Sequence, residues 1–222
     1  MGPLAKAKTI SECAMFRSRP NFAAEILAER ISEKVKDPSV VARHAKNLAG
    51  RCALVESVQL TRRAMLDAYA ESAKEGSPEA KAFLLKNDVA LSRLGENAGE
   101  SAADVATLAK SLAQTRDPGA VYELAGLFGE GSLIHGPASG SAEATGAWML
   151  AACDLGYDCG PNSPLVRTAC LSGGVFCNAG GLEENMRSSQ FSPEGFERVR
   201  ELRKKIYQGI KTGDVDSLFN EH

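Results

Sequence analysis

The side chains best able to do chemistry in this 222-residue chain are its six cysteines, Cys13, Cys52, Cys153, Cys159, Cys170 and Cys177. The last four lie within 25 residues of one another, and such clustering points either to metal ligation or to oxidation. Zinc ligands usually come in pairs two to four residues apart, whereas five, ten and six residues separate the successive cysteines of this cluster. A disulfide framework therefore fits better than zinc or free buried thiols. It implies an oxidising compartment, periplasmic or secreted.

The histidines offer less. His44 falls one turn from Val40 and Val41 and beside Ala45, and a lone histidine on an apolar helical face is a packing residue sooner than a general base. His135 shares the loop 129–140 with Glu130, Ser132 and Ser139, so Glu130 and His135 mark a candidate binding loop. That loop has no Gly-x-Ser-x-Gly elbow and no fixed acidic partner, and no catalytic residue is assigned to it. Gly129-Glu130-Gly131 has neither a Gly-Lys-Ser/Thr ending nor a preceding strand, which dismisses phosphate binding. No cofactor is expected.

These residues must be carried by helices. The chain holds 33 Ala against 12 Val and 6 Ile, a balance that favours helix over strand and excludes an all-β domain. Apolar residues at 44% and charged residues at 24% are ordinary for a folded globular chain. A net charge of −2 lacks the basic excess that a phosphate backbone selects, so nucleic acid is not an expected partner. No window is apolar and long enough for a membrane span, and the first ten residues lack a signal-peptide core.

A forty-residue period organises the helices. Asp37-Pro38, Ser77-Pro78 and Asp117-Pro118 each place an N-capping residue before a proline at the first helical position, and apolar residues follow at helical spacing. Amphipathic stretches at 21–36, 60–75, 101–114 and 142–155 alternate with these starts, so the unit is a helix pair. Tyr69, Ser72, Ala73 and Gly76 match Met149, Ala152, Cys153 and Gly156, with the two glycines positioned as left-handed helix stops. One pair cannot bury its apolar stripe alone, so the pairs are expected to stack.

In the last pair, Ala120, Tyr122, Leu124, Leu127, Phe128, Gly129 and Gly131, then Ala147, Trp148, Ala151, Ala152 and Gly156, resemble the Sel1-like repeats, part of the tetratricopeptide-type α/α solenoids. The middle pair keeps Ala80, Leu84 and Leu85 but has Leu108 where the pattern has an aromatic lead. The resemblance implies an all-α short solenoid over 37–156, packing roles for Tyr122 and Trp148, and a protein that makes scaffolding or regulatory contacts, in bacteria often in the cell envelope.

The flanks read differently. Residues 1–36 are an N-terminal segment with a capping helix, 157–208 a cysteine-rich helical cap, and 209–222 a tail. Asn162 or Ser163, ahead of Pro164, caps a helix to about Leu171 that Gly173-Gly174 ends, and Ser192-Pro193 starts another to about Gln208. Arg198, Arg200, Arg203, Lys204 and Lys205 are interleaved with Glu197 and Glu201, which makes them a solvated face sooner than a docking face. The turns at Gly156 and Gly173-Gly174 favour pairing Cys153 with Cys159 and Cys170 with Cys177, leaving Cys13 for Cys52. The expected function is a non-enzymatic protein-interaction module whose partner is another protein. The alternatives are an inhibitor or immunity-type protein, and a hydrolase using the 129–140 loop.

Overall fold

The computed structural model describes residues 1–17, 35, 37–55, 60–93, 101–178 and 180–219. Among them are eleven α-helices and no strand, and helix makes up 73% of the structure, well past the half that the alanine excess leads one to expect. The helices are α1 (Pro3–Arg17), α2 (Pro38–Cys52), α3 (Arg62–Lys74), α4 (Pro78–Arg93), α5 (Ala102–Gln114), α6 (Pro118–Leu124), α7 (Ala142–Asp154), α8 (Pro164–Gly173), α9 (Leu182–Ser189), α10 (Pro193–Thr212) and α11 (Asp216–Phe219). The stretch 21–36, read above as helical, lies outside the described residues except for Val35.

Local capping chemistry places the starts. Asp37 Oδ1 accepts from Ser39 N at 3.0 Å, Ser77 Oγ from Ala80 N at 3.2 Å, and Asp117 Oδ1 from Ala120 N at 2.7 Å, each ahead of a proline that begins the helix. Pro38, Pro78 and Pro118 thus occupy the equivalent first-turn positions that the period requires. Ser101, Ser141, Ser163 and Ser192 cap α5, α7, α8 and α10 in the same way. The intervening turns also recur at forty residues. Gly76, Arg116 and Gly156 have φ of +99°, +59° and +109°. At the two glycines the closing bonds are the same: Gly76 N and Gly156 N donate to Ala73 O and Cys153 O, while Ser77 N and Tyr157 N donate to Ser72 O and Ala152 O.

The chain divides into two compact units, Met1–Glu71 with Asp158–Phe191, and Ser72–Tyr157 with Ser192–His222. In the first, α2 packs against α1 and α8. Val41, Ala45 and Leu48 of α2 form its core with Cys170, Leu171 and Cys177, and Ala7, Ile10 and Cys13 of α1 are fully buried. Cys13–Cys52 ties α1 to α2, and Cys170–Cys177 closes on the end of α8, as the sequence leads one to expect. Cys153 and Cys159 are disulfide-bonded as well, giving three bridges and no free cysteine.

In the second unit α4 packs on α5 and α6, α6 on α7, and α7 on α10, around Trp148, Phe128, Leu124, Leu150, Ile206 and Ile210. Ion pairs span the helix contacts: Lys86 with Glu123, Lys110 with Asp216, Arg198 with Glu143, and Arg203 with Asp154. Two of the α10 arginines thus hold α10 to α7, and Arg200 pairs with Glu197 along its own helix. Helix α10 runs one turn past Gln208 to Thr212, where Gly213 stops it at φ +86°, and α11 follows in the stretch read as tail.

Candidate functional site

The 129–140 loop is a built structure. Trp148 Nε1 donates to Ala138 O at 2.9 Å, Ser132 Oγ bonds Leu127 O and Ile134 O, Ser139 Oγ donates to Gly136 O, and Gly140 N donates to Phe128 O. Both serine hydroxyls are thereby committed to backbone. Ile134 and Ala138 are buried beside Phe128 and Trp148, which stack at 4.2 Å and are met edge-on by Phe219 of α11. Gly136 lies so close to α11 that a Cβ there would stand 2.7 Å from Leu218 O. Glu130 and His135 are exposed on the outside of this arrangement. The loop is a lid on a core.

Tyr122 also packs. Its ring stacks on Tyr157 at 4.4 Å with an interplanar angle of 7°, and burial, followed by the neighbouring Glu123 charge, pushes its phenol well above the ordinary tyrosine range. The group stays protonated and is no acid or base near neutrality.

An open groove of the second unit lies between α4 and α5. Lys81, Leu84, Leu85 and Asp88 make one stripe of α4 at spacing i, i+3, i+4, i+7, and Leu108, Ser111 and Leu112 of α5 make the same stripe with Thr115, the residue that caps its end. The two stripes face a groove of about 560 Å³. Ser111 Oγ donates to Leu108 O and Thr115 Oγ1 to Leu112 O, so the hydroxyls are spent on their own helix and the groove presents leucine. Leu108 is 41% exposed.

The residues forty positions later stand in a closed core. Forty residues on, Leu84, Asp88, Leu108 and Leu112 become Leu124, Phe128, Trp148 and Ala152, all buried in the closed core just described. Where the later pair has stacked aromatic rings, the earlier pair has Asp88 and Leu108, which line the groove. The signal was present in the sequence as the missing aromatic at 108, but it takes the filled counterpart to reveal it as a groove.

Among the described residues no set of three His, Cys, Asp or Glu side chains could hold a metal ion, and no helix is long and apolar enough to cross a membrane. No family model, curated protein or solved structure matches this chain.

Proposed function

We propose that the protein is a non-enzymatic protein-interaction module built from Sel1-like helix pairs, acting as an adaptor in the bacterial cell envelope, periplasmic or secreted. The observation that carries this reading is the leucine-lined α4/α5 groove, whose counterpart forty residues later is filled by Phe128 and Trp148. A partner protein offering an apolar or aromatic side chain would supply what the chain itself supplies in the later pair. Three disulfides support the oxidising compartment. The commitment of Ser132 and Ser139 to backbone bonds speaks against the hydrolase alternative in the 129–140 loop.

Leu108→Trp tests the reading, because it places in the groove the residue found at the equivalent later position. The folded variant is expected to lose the envelope proteins that the wild-type chain captures, as identified by mass spectrometry. Recovery of the same proteins by both chains rejects the groove as the docking site. A hydrolytic activity abolished by His135→Ala would replace the adaptor with the enzyme.

A further inference from the structure

Helix α2 carries an imidazole with neither solvent nor partner. His44 is 0% exposed, and neither Nδ1 nor Nε2 has a hydrogen-bond partner. It stands on the same helical face as Val40, Val41, Ala45 and Leu48, the face that packs against Cys170 and Leu171 of α8. A neutral imidazole can be tolerated there as a flat, largely apolar ring.

Among the described residues, the charges that act on it are mainly of one sign. Arg43 lies next to it on α2, and Arg167, 4% exposed, faces it from α8. Helix α1 contributes Glu12, whose carboxylate is already held by Arg51 and Arg167 at 3.0 Å each. The short 3₁₀ turn Ala53–Val55 that follows α2 has no ionisable side chain, and Cys170 and Cys177 are oxidised. Among the described residues, a proton added to His44 would find no acceptor and would be disfavoured by the charges of Arg43 and Arg167.

We infer that His44 makes the first unit acid-responsive, its protonation loosening α8 from α2. The covalent topology determines what can separate. Cys13–Cys52 keeps α1 on α2, whereas Cys170–Cys177 closes α8 on its own end and leaves the α2–α8 contact without a covalent tie. Opening would expose the buried face of Val41, Leu48 and Leu171.

Burial, then Arg43, then Arg167 lower the proton affinity of the native imidazole below its ordinary value. The unfolded chain therefore binds this proton more readily than the native one. The stability tied to His44 is complete above pH about 6.5, the ordinary imidazole value, and is lost as the pH falls from there toward the native value. The opening constant rises by up to about tenfold per pH unit over that window.

The test is hydrogen exchange on the intact oxidised protein between pH 7.5 and 5.0, corrected for intrinsic exchange, with α7 and α10 as internal reference. Amides of α2 and α8 are expected to open more often at pH 5.5 than at pH 7, by up to about tenfold, and this slope should vanish in His44→Leu. His44→Gln serves the same purpose if the leucine variant does not fold. In the wild-type chain the imidazole signal of His44, identified by its absence from the variant, should remain that of a neutral ring at pH 6.5, the ordinary imidazole value. An unchanged pH slope in either variant, or a His44 ring that is half protonated at pH 6.5 or above, overturns the inference.

Discussion

Glu12 and Arg167 are separated by 155 residues in the chain and 3.0 Å in space, and both side chains are almost wholly buried. The same carboxylate receives Arg51 Nε and Nη2 at 3.0 Å each, so a single acid joins α1, α2 and α8. The adjoining residues Cys13 and Cys52 carry the disulfide, which makes the α1–α2 junction both covalent and ionic over two consecutive residues.

Removing the acid strands a buried cation. Glu12→Gln should destabilise the first unit by about 3 kcal/mol, the usual consequence of leaving one partner of a buried pair without its counter-charge. Arg51→Ala, at a side chain 40% exposed, should cost about 1 kcal/mol or less. Urea unfolding of the two variants checks the ratio, and equal losses would show that Arg167 is not the dependent partner.

Trp148 is both core and hydrogen-bond donor. Trp148→Phe keeps an aromatic ring against Phe128 but strands the buried Ala138 carbonyl, with an expected loss of about 1–2 kcal/mol. Trp148→Ala empties the site as well and should cost about 3–5 kcal/mol. Because this is the only tryptophan in the chain, the comparison needs circular dichroism.

Arg116 occupies the left-handed turn position that is glycine at 76 and 156. Arg116→Gly relieves about 1–2 kcal/mol of steric strain and gives back part of it through the greater freedom of glycine in the unfolded chain, for a net gain of about 0.5–1 kcal/mol. A midpoint that rises in thermal unfolding supports this balance; a fall means that the arginine side chain contributes more than its backbone costs.

The two bridges of the first unit close loops of very different length, with sequence separations of 39 and 7. Replacing Cys13 and Cys52 by serine should cost about 3–4 kcal/mol, and replacing Cys170 and Cys177 about 2–3 kcal/mol, if loop-closure entropy dominates. Denaturant midpoints of the two double variants measure the order, and the reverse order would show that the short bridge acts through native packing.

What could be read from the sequence was what is local. Asp37, Ser77 and Asp117 announce their helices because cap and proline act within one turn, and Cys170 and Cys177 find each other across one glycine turn. Helix α9 went unread because its start has no side-chain cap. It is set instead by Leu182 N donating to Cys159 O and by Asn185 Nδ2 donating to Gly180 O and Gly181 O. The Glu12–Arg167 pair leaves no periodic trace, since its partners belong to helices with unrelated spacing. His44 was read as a packing residue, and it does pack. That its ring does so without a hydrogen bond is a property of the packed helices together and of no one segment.

The division of the chain into Met1–Glu71 with Asp158–Phe191, and Ser72–Tyr157 with Ser192–His222, also has a meaning in time. A chain made from its N-terminus at about 5–20 residues per second presents α1 and α2 for several seconds before α8 exists. During that interval Cys13 and Cys52 have emerged while Cys153, Cys159, Cys170 and Cys177 have not, which favours the pairing seen. Until Arg167 arrives, Glu12 has only Arg51 to bind, and the nascent first unit is a two-helix hairpin awaiting its third side. Neither unit is a contiguous stretch, so cutting the gene at any single point leaves at least one of them incomplete.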